Sequence, residues 1–241
     1  MEKLSIESYG FSDIGRVRKK NEDVWLELIQ TKFFALADGM GGHNAGEVAA
    51  KQTIQYLGSF VQKNIPQNIS AKQAIALLKK GIQQTNQRIY TLGKSKPTLN
   101  GMGTTLCMLY LFPGYGIYAH VGDSRIYRYR DQELKQLTQD HVAYKNEVKN
   151  VLTRAIGSGQ QVQPEIACAS VQVGDLFFLC SDGLSDFISS EQIEKILQSS
   201  ISLKRIAKRL VELAKEKGSS DNITVVLVRV KHGRKKLYLS G

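Results

Sequence analysis

A chain of 241 residues suits one large domain or two small ones, and 42% hydrophobic content with only 4 prolines points to a folded core and excludes a disordered chain. No apolar run approaches the ~20 residues that cross a bilayer, and Met1 to Glu7 lacks the apolar stretch of a secretory signal. The formal net charge of +11 leaves nucleic acid, an anionic membrane surface or an acidic substrate open as partners.

In chain order, residues 4–13 and 24–37 read as strands joined by a polar, basic loop from Gly15 to Asp23. A helix is predicted from about Ala45 to Val61, where Ala45, Val48, Ala49, Thr53 and Leu57 recur at helical spacing. Residues 66–70 break the pattern, and Ser70 to Gln73 fits a capping box for a second helix that carries Ala74, Leu77, Leu78, Ile82 and Ile89 on one side. After a loop from Lys94 to Gly103 come strand-like runs at 104–112, 115–121 and 125–130, with Pro113-Gly114 as a tight turn. Residues 131–163 are polar and irregular. Strands return at 165–172 and 175–180, helices follow at about 190–198 and 202–217 with Gly218 as a C-cap, and 222–230 is the last strand.

Strands and helices cluster rather than alternate, which predicts an α+β fold of mainly antiparallel sheets covered by helices. With no repeat, low-complexity tract or linker, residues 1–241 read as one domain, and 231–241 as a frayed basic tail. Cys107, Cys168 and Cys180 lie in or beside apolar runs without metal-ligand spacing, so they read as reduced core residues and the chain as cytoplasmic. Lys204, Arg205, Lys208 and Arg209 read as a solvated helix face.

The chemistry concentrates at four aspartates placed where apolar runs stop or start. Asp38 and Asp182 each follow such a run and lead an Asp-Gly pair, Asp123 follows the run 117–122, and Asp221 opens the run 223–228. A lone Asp-Gly after a strand is most often a hairpin turn. Asp38-Gly39 departs from that pattern because 40–47 leads into a helix rather than a partner strand. Several carboxylates gathered at one end of a sheet repel one another unless cations lie between them, and oxygen donors are what Mg²⁺ and Mn²⁺ prefer.

In family order the chain carries Arg18-Lys19-Lys20-Asn21-Glu22-Asp23, Ala37-Asp38-Gly39-Met40-Gly41-Gly42-His43 with Gly46-Glu47, Gly103-Thr104-Thr105-Leu106, Val121-Gly122-Asp123-Ser124-Arg125, Leu152-Thr153-Arg154-Ala155-Ile156-Gly157, Ser181-Asp182-Gly183-Leu184-Ser185-Asp186 and Asp221-Asn222-Ile223-Thr224. This ordered set, from Ser12 to Val228, resembles the metal-dependent protein phosphatases of type 2C (the PPM family), in the form common among bacterial members. The resemblance implies a four-layer αββα sandwich and hydrolysis of phosphoserine and phosphothreonine in proteins. It implies two Mn²⁺ or Mg²⁺ ions, bridged by Asp38, with the Gly39 carbonyl on one ion and Asp182 and Asp221 on the other. Asp123, with Asp182, would complete a third, weaker site. Glu22 and Asp23 would accept hydrogen bonds from waters around the ions, and Asp186 would do likewise or cap a helix beginning near Ser185. Two cations suit the reaction because they acidify water and neutralise charge developing on phosphorus.

Arg18 is the candidate for the phosphate, since its planar fork can make two charge-assisted hydrogen bonds to phosphoryl oxygens. His43 is a weak candidate for a general acid, because some non-bacterial members place histidine where Met40 stands here. His141 matches a family loop and is expected to hydrogen-bond structurally. Ser124 and Ser181 lack the partners of a nucleophile.

The chain departs from bacterial relatives between His141 and Asn150, where only Val142 to Lys149 stand in place of a mobile flap. A short connector and a more open catalytic face are predicted, with Lys145 and Lys149 as a solvated pair. The expected protein is a cytoplasmic monomer that acts on phosphoproteins against a Ser/Thr kinase, with no nucleic-acid or membrane partner. Its rivals are an inactive phosphoprotein-binding module, disfavoured by the intact Asp38, Asp182 and Asp221, and a two-metal nuclease, disfavoured by the lack of a nucleic-acid motif.

Overall fold

Strands that are apolar at every position can be buried only if both faces are covered, and that condition organises this molecule. The computed structural model describes residues 4–40, 45–66, 68–145, 148–199 and 201–233. In chain order the strands are β1 (Leu4–Asp13), β2 (Asp23–Leu28), β3 (Phe33–Met40), β4 (Gly103–Thr104), β5 (Leu106–Phe112), β6 (Tyr115–Val121) and β7 (Arg125–Arg130). There follow β8 (Glu133–Gln136), β9 (Val142–Lys145), β10 (Val148–Leu152), β11 (Glu165–Ser170), β12 (Leu176–Cys180) and β13 (Ile223–His232). The helices are α1 (Ala45–Asn64), α2 (Ala71–Ser95), α3 (Asp182–Ser185), α4 (Ser190–Leu197) and α5 (Leu203–Glu216).

One sheet has the order β1-β13-β12-β7-β8 and the other β11-β6-β5-β3-β2, with β4 pairing onto β3. Every pairing is antiparallel. The two-residue side-chain period sorts each strand between two cores. On β3, Phe33, Ala35 and Ala37 face α1 and α2, while Phe34 and Leu36 enter the layer between the sheets. On β12, Phe178 and Cys180 face α3, α4 and α5, while Phe177 and Leu179 meet the other sheet. Burying each of these phenylalanine and leucine side chains contributes roughly 1.5–3 kcal/mol. The result is the α+β, four-layer αββα sandwich.

Boundaries fall close to expectation, with physical reasons for the differences. The run 24–37 is two strands, divided by a turn in which Thr31 and Lys32 donate back to Leu28 and Ile29 and Lys32 adopts φ 55°. The first helix runs on to Asn64. The Ser70–Gln73 capping box forms, with Gln73 N donating to Ser70 Oγ at 3.3 Å and Ser70 N to Gln73 Oε1 at 3.2 Å. Gly218, at φ 91°, ends the run after α5. The stretch 131–163, read as irregular, holds β8 and the hairpin β9–β10. Cys107 and Cys180 are core residues, but Cys168 is exposed on β11, an edge strand whose outer positions are not covered. Among the described residues no helix is long and apolar enough to cross a membrane. His43 and residues 234–241 of the tail lie outside the described residues, as do the side chains of Lys145 and Lys149.

One ion pair closes the sandwich away from the carboxylate end. Arg130 Nε and Nη2 donate to the buried Asp175 at 2.6 and 2.7 Å, and Arg130 Nη2 also reaches Ser170 O at 2.9 Å. Asp175 Oδ2 in turn accepts from Gln172 N. Arg130→Met strands a buried carboxylate and is expected to destabilise the protein by about 2–4 kcal/mol, readable as a lower midpoint in urea unfolding.

Candidate functional site

Antiparallel pairing brings the chemically marked strand ends to one edge of the sandwich. β12 ends where β13 begins, with Cys180 opposite Val225, so Asp182 and Asp221 come together. β2 begins where β3 ends, with Asp23 opposite Asp38. The turn after β6 carries Asp123 to the same edge. There the chain forms a cleft of about 330 Å³ lined by Asp38, Asp123, Asp182 and Asp221, with Arg18, Glu22 and Gly39 beside them.

Asp38 is fixed through its backbone. Asp38 N donates to Thr105 Oγ1 at 3.0 Å, and Asp38 O accepts from Thr105 N at 2.9 Å and Thr104 Oγ1 at 2.8 Å. Thr105 Oγ1 is itself 2.7 Å from Ser124 Oγ, next to Asp123. Gly39 has a packing reason: a Cβ there would collide with the Gly46 carbonyl at the start of α1 and crowd the Glu22 carbonyl. Gly39 also lines the cleft. Asn222 Nδ2 donates to Ile14 O and Lys20 O, both at 2.9 Å, and its Oδ1 accepts from Glu22 N at 2.8 Å. It therefore ties down both ends of the loop that carries Arg18. Arg18 Nη2 donates to Asp221 Oδ2 at 2.7 Å and is otherwise open to solvent.

Not every expected residue reaches the cleft. Asp23 lies behind its wall, buried, with Ser181 Oγ donating to its Oδ2 at 2.8 Å. Asp186 is not in the lining. It ends α3 instead of capping a helix from Ser185, and lies 3.8 Å from Arg125 Nη2; the next helix, α4, is capped by Ser189. The expected connector is a hairpin, and its second strand sets Val151 and Leu152 at the cleft margin. The margin of the cleft is apolar there.

The carboxylates are costly to assemble without cations. Burial, then Asp23, Asp182, Asp221 and Asp123, pushes the Asp38 carboxyl well above its usual range. Burial pushes Asp23 up to about 7 against the opposing hydrogen bonds of Thr224 and Ser181. Burial also raises Glu22, with Arg18 opposing and Glu47 reinforcing. Among the described residues none donates a hydrogen bond to the buried Asp23 Oδ1. An all-oxygen donor set under such mutual repulsion fits hard divalent cations such as Mg²⁺ or Mn²⁺. Among the described residues, His120, His141 and Glu165 form a second group of ligand-type side chains, with ligand atoms within 4.8 Å. A cation already serves it: Arg154 Nη1 lies 3.1 Å from His141 Nε2 and 3.4 Å from Glu165 Oε1. His141 Nδ1 accepts from Gly122 N at 3.2 Å and its backbone N donates to Gly122 O at 3.0 Å, the structural role expected of it.

Thr104, Thr105, Ser181 and Asn222 stand within the sequence motifs, but their part as fasteners of the site shows only in the fold. The partners described above lie 66 to 208 residues away in sequence, apart from the Thr105–Ser124 pair at 19. Spacing along the chain gave no signal for them.

Comparison with known proteins points to one family. The family model described as protein phosphatase 2C matches residues 17–227. A putative protein phosphatase 2C-type of Streptococcus pyogenes is 37% identical over 235 residues, covering 90% of this chain and 94% of that one. The serine/threonine phosphatase stp of Listeria monocytogenes is 35% identical over 235 residues, covering 90% and 93%. Among solved structures, the Mycobacterium tuberculosis serine/threonine phosphatase PstP/Ppp superposes with a TM-score of 0.85 at 33% identity, covering 94% of this chain and 99% of that one. The PstP catalytic domain in complex with 2 manganese ions gives 0.84 at 34% identity, covering 95% and 100%. The chain belongs to the protein phosphatase 2C family.

Proposed function

We propose that this protein is a metal-dependent serine/threonine phosphatase that removes phosphate from phosphoproteins at the Asp38 cleft, opposing a Ser/Thr kinase. The observation that carries the reading is the convergence of Asp38, Asp123, Asp182 and Asp221 on one cleft with Arg18 at its edge. Asp38, the Gly39 carbonyl, Asp182 and Asp221 would hold two Mn²⁺ or Mg²⁺ ions, and Asp123 with Asp182 a third, weaker one. Bound ions of this kind supply an acidified water and neutralise charge developing on the phosphoryl group. Glu22 and Asp23 act from the wall as acceptors, and Asp186 has the most distant part. Arg18, held over the cleft by Asp221, offers its remaining N–H groups to phosphoryl oxygens. Residues 1–241 form one catalytic unit that works as a cytoplasmic monomer.

The test is hydrolysis of p-nitrophenyl phosphate and a phosphothreonine peptide with Mn²⁺ and with EDTA. Activity with Mn²⁺ and none with EDTA is expected. An inert wild type would favour a phosphoprotein-binding module, and preference for a bis ester or DNA would favour a nuclease. Arg18→Ala is expected to raise KM roughly tenfold with little change in kcat, as removal of a phosphate-binding group should.

A further inference from the structure

The net charge of +11 is not accounted for by the cleft, which is acidic apart from Arg18. A second concavity of about 420 Å³ lies between α1 and α2. Lys63 from α1 and Lys80 and Arg88 from α2 line it, together with the rings of Tyr56 and Phe60. The Arg88 guanidinium carbon sits 4.8 Å from the Tyr56 ring centroid. Gly81 permits this shape, because a Cβ there would collide with the Phe60 ring. Among the described residues no carboxylate lines the groove, and Glu47 is the sole acidic residue on either helix, against two basic residues on α1 and five on α2. Among the described residues none of the three lining cations takes part in an ion pair. A solvated helix face spreads its charges over convex surface, whereas these three converge on one hollow floored with aromatic carbon.

We propose that the α1–α2 groove docks an acidic segment of the same phosphoprotein whose phosphate enters the cleft. The proposal rests on the phosphatase reading and adds a determinant of substrate choice to it. Its geometry comes from α1, which begins against the cleft wall at Gly46. At 1.5 Å per residue, Tyr56 lies about 15 Å and Lys63 about 26 Å along the helix from there. An extended peptide covers that distance in roughly five to eight residues. Lys80 and Arg88 are about 12 Å apart along α2, a separation that several acidic side chains of one strand can bridge and a single phosphate ion cannot. Glutamate or aspartate five to eight positions from the phosphorylated residue is therefore the recognised pattern.

Two phosphothreonine peptides test this, identical around the phosphothreonine but carrying either glutamates or glutamines five to eight residues away. With Mn²⁺, the glutamate peptide is expected to show a roughly tenfold lower KM at 50 mM salt, the combined effect of a few exposed ion pairs, with kcat unchanged. The Lys63→Gln/Lys80→Gln/Arg88→Gln variant should treat both peptides alike while hydrolysing p-nitrophenyl phosphate as the wild type does. Equal KM values in the wild type, or a preference that survives in the triple variant, overturns the proposal. Fluorescence anisotropy of the unphosphorylated glutamate peptide reads the groove without turnover. Binding lost in the triple variant supports the groove even for a protein inert on every phosphate ester, an outcome that sinks only the phosphatase reading. Absence of binding, or displacement of the peptide by single-stranded DNA at equal anion concentration, sinks the acidic-peptide assignment.

Discussion

Asp38→Asn is expected to abolish turnover, by on the order of 10³-fold or more, and at the same time to raise the melting temperature of the protein held in EDTA. The two effects have one cause. Asp38 is half-buried at the end of β3 and faces the repulsion of Asp23, Asp182, Asp221 and Asp123, so its charge is unfavourable in the metal-free fold and useful only against a cation. The amide keeps the size of the side chain and removes the charge. About 1 kcal/mol moves a chain of this size by about 2–4 °C, so relief of even part of the repulsion is visible in a thermal melt. In Mn²⁺ the order reverses, because the wild type gains stability from metal binding and the variant gains much less. A variant that melts below the wild type in EDTA would mean that the Asp38 carboxylate is already compensated within the fold, and the case for a cation there would collapse.

The same repulsion sets a pH dependence. An unfolded aspartate loses its proton near 3.9, while Asp23 holds it up to about 7 in the fold. Because the folded-state value is raised, the fold binds more protons than the unfolded chain between those limits, and stability falls as pH rises through the window. The penalty at neutral pH is on the order of 4 kcal/mol for one such group. In EDTA the wild type should therefore melt progressively lower from pH 5 to 7.5. Mn²⁺, which binds the deprotonated forms, should stabilise the protein more as pH rises.

What the sequence made legible follows from how each feature is written into it. Strands covered on both faces appear as unbroken apolar runs, so Phe33–Ala37 and Leu176–Cys180 were readable. β8 and β11 lie at sheet edges with largely uncovered side chains, so Glu133–Gln136 shows no apolar alternation and nothing local marks Cys168 as exposed. The four residues of α3 are too few for helical periodicity to register. In the site, Asp38, Asp123, Asp182 and Asp221 were visible because each interrupts or opens an apolar run, a local signal. Asp186 ends no apolar run and was expected only from the family motif, and it lies outside the cleft lining. Thr105 and Asn222 act through hydrogen bonds to backbone from distant parts of the chain, which only the folded arrangement displays.

Asn222 is the most consequential of these. Its amide makes three hydrogen bonds to the segment from Ile14 to Glu22, and Arg18 sits between the two anchor points. The side chain is buried, so Asn222→Ala leaves two carbonyls and one N–H to find new partners. At about 1 kcal/mol per hydrogen bond the variant should lose about 3 kcal/mol, or roughly 6–12 °C in melting temperature. Its larger effect is on the site, because the loop that presents Arg18 and Glu22 loses its register. A roughly 30–100-fold loss in kcat/KM for a phosphothreonine peptide is expected, since misplacing a binding group by about 1 Å costs on that scale. Destabilisation alone is separable from positioning by a double-mutant cycle with Arg18→Ala. If Asn222 positions Arg18, removing Arg18 costs little further activity in the Asn222→Ala background, and the two KM effects overlap. Full additivity of the two substitutions, measured well below the melting temperature of the double variant, would show that Arg18 keeps its place without the amide and that Asn222 serves the fold alone.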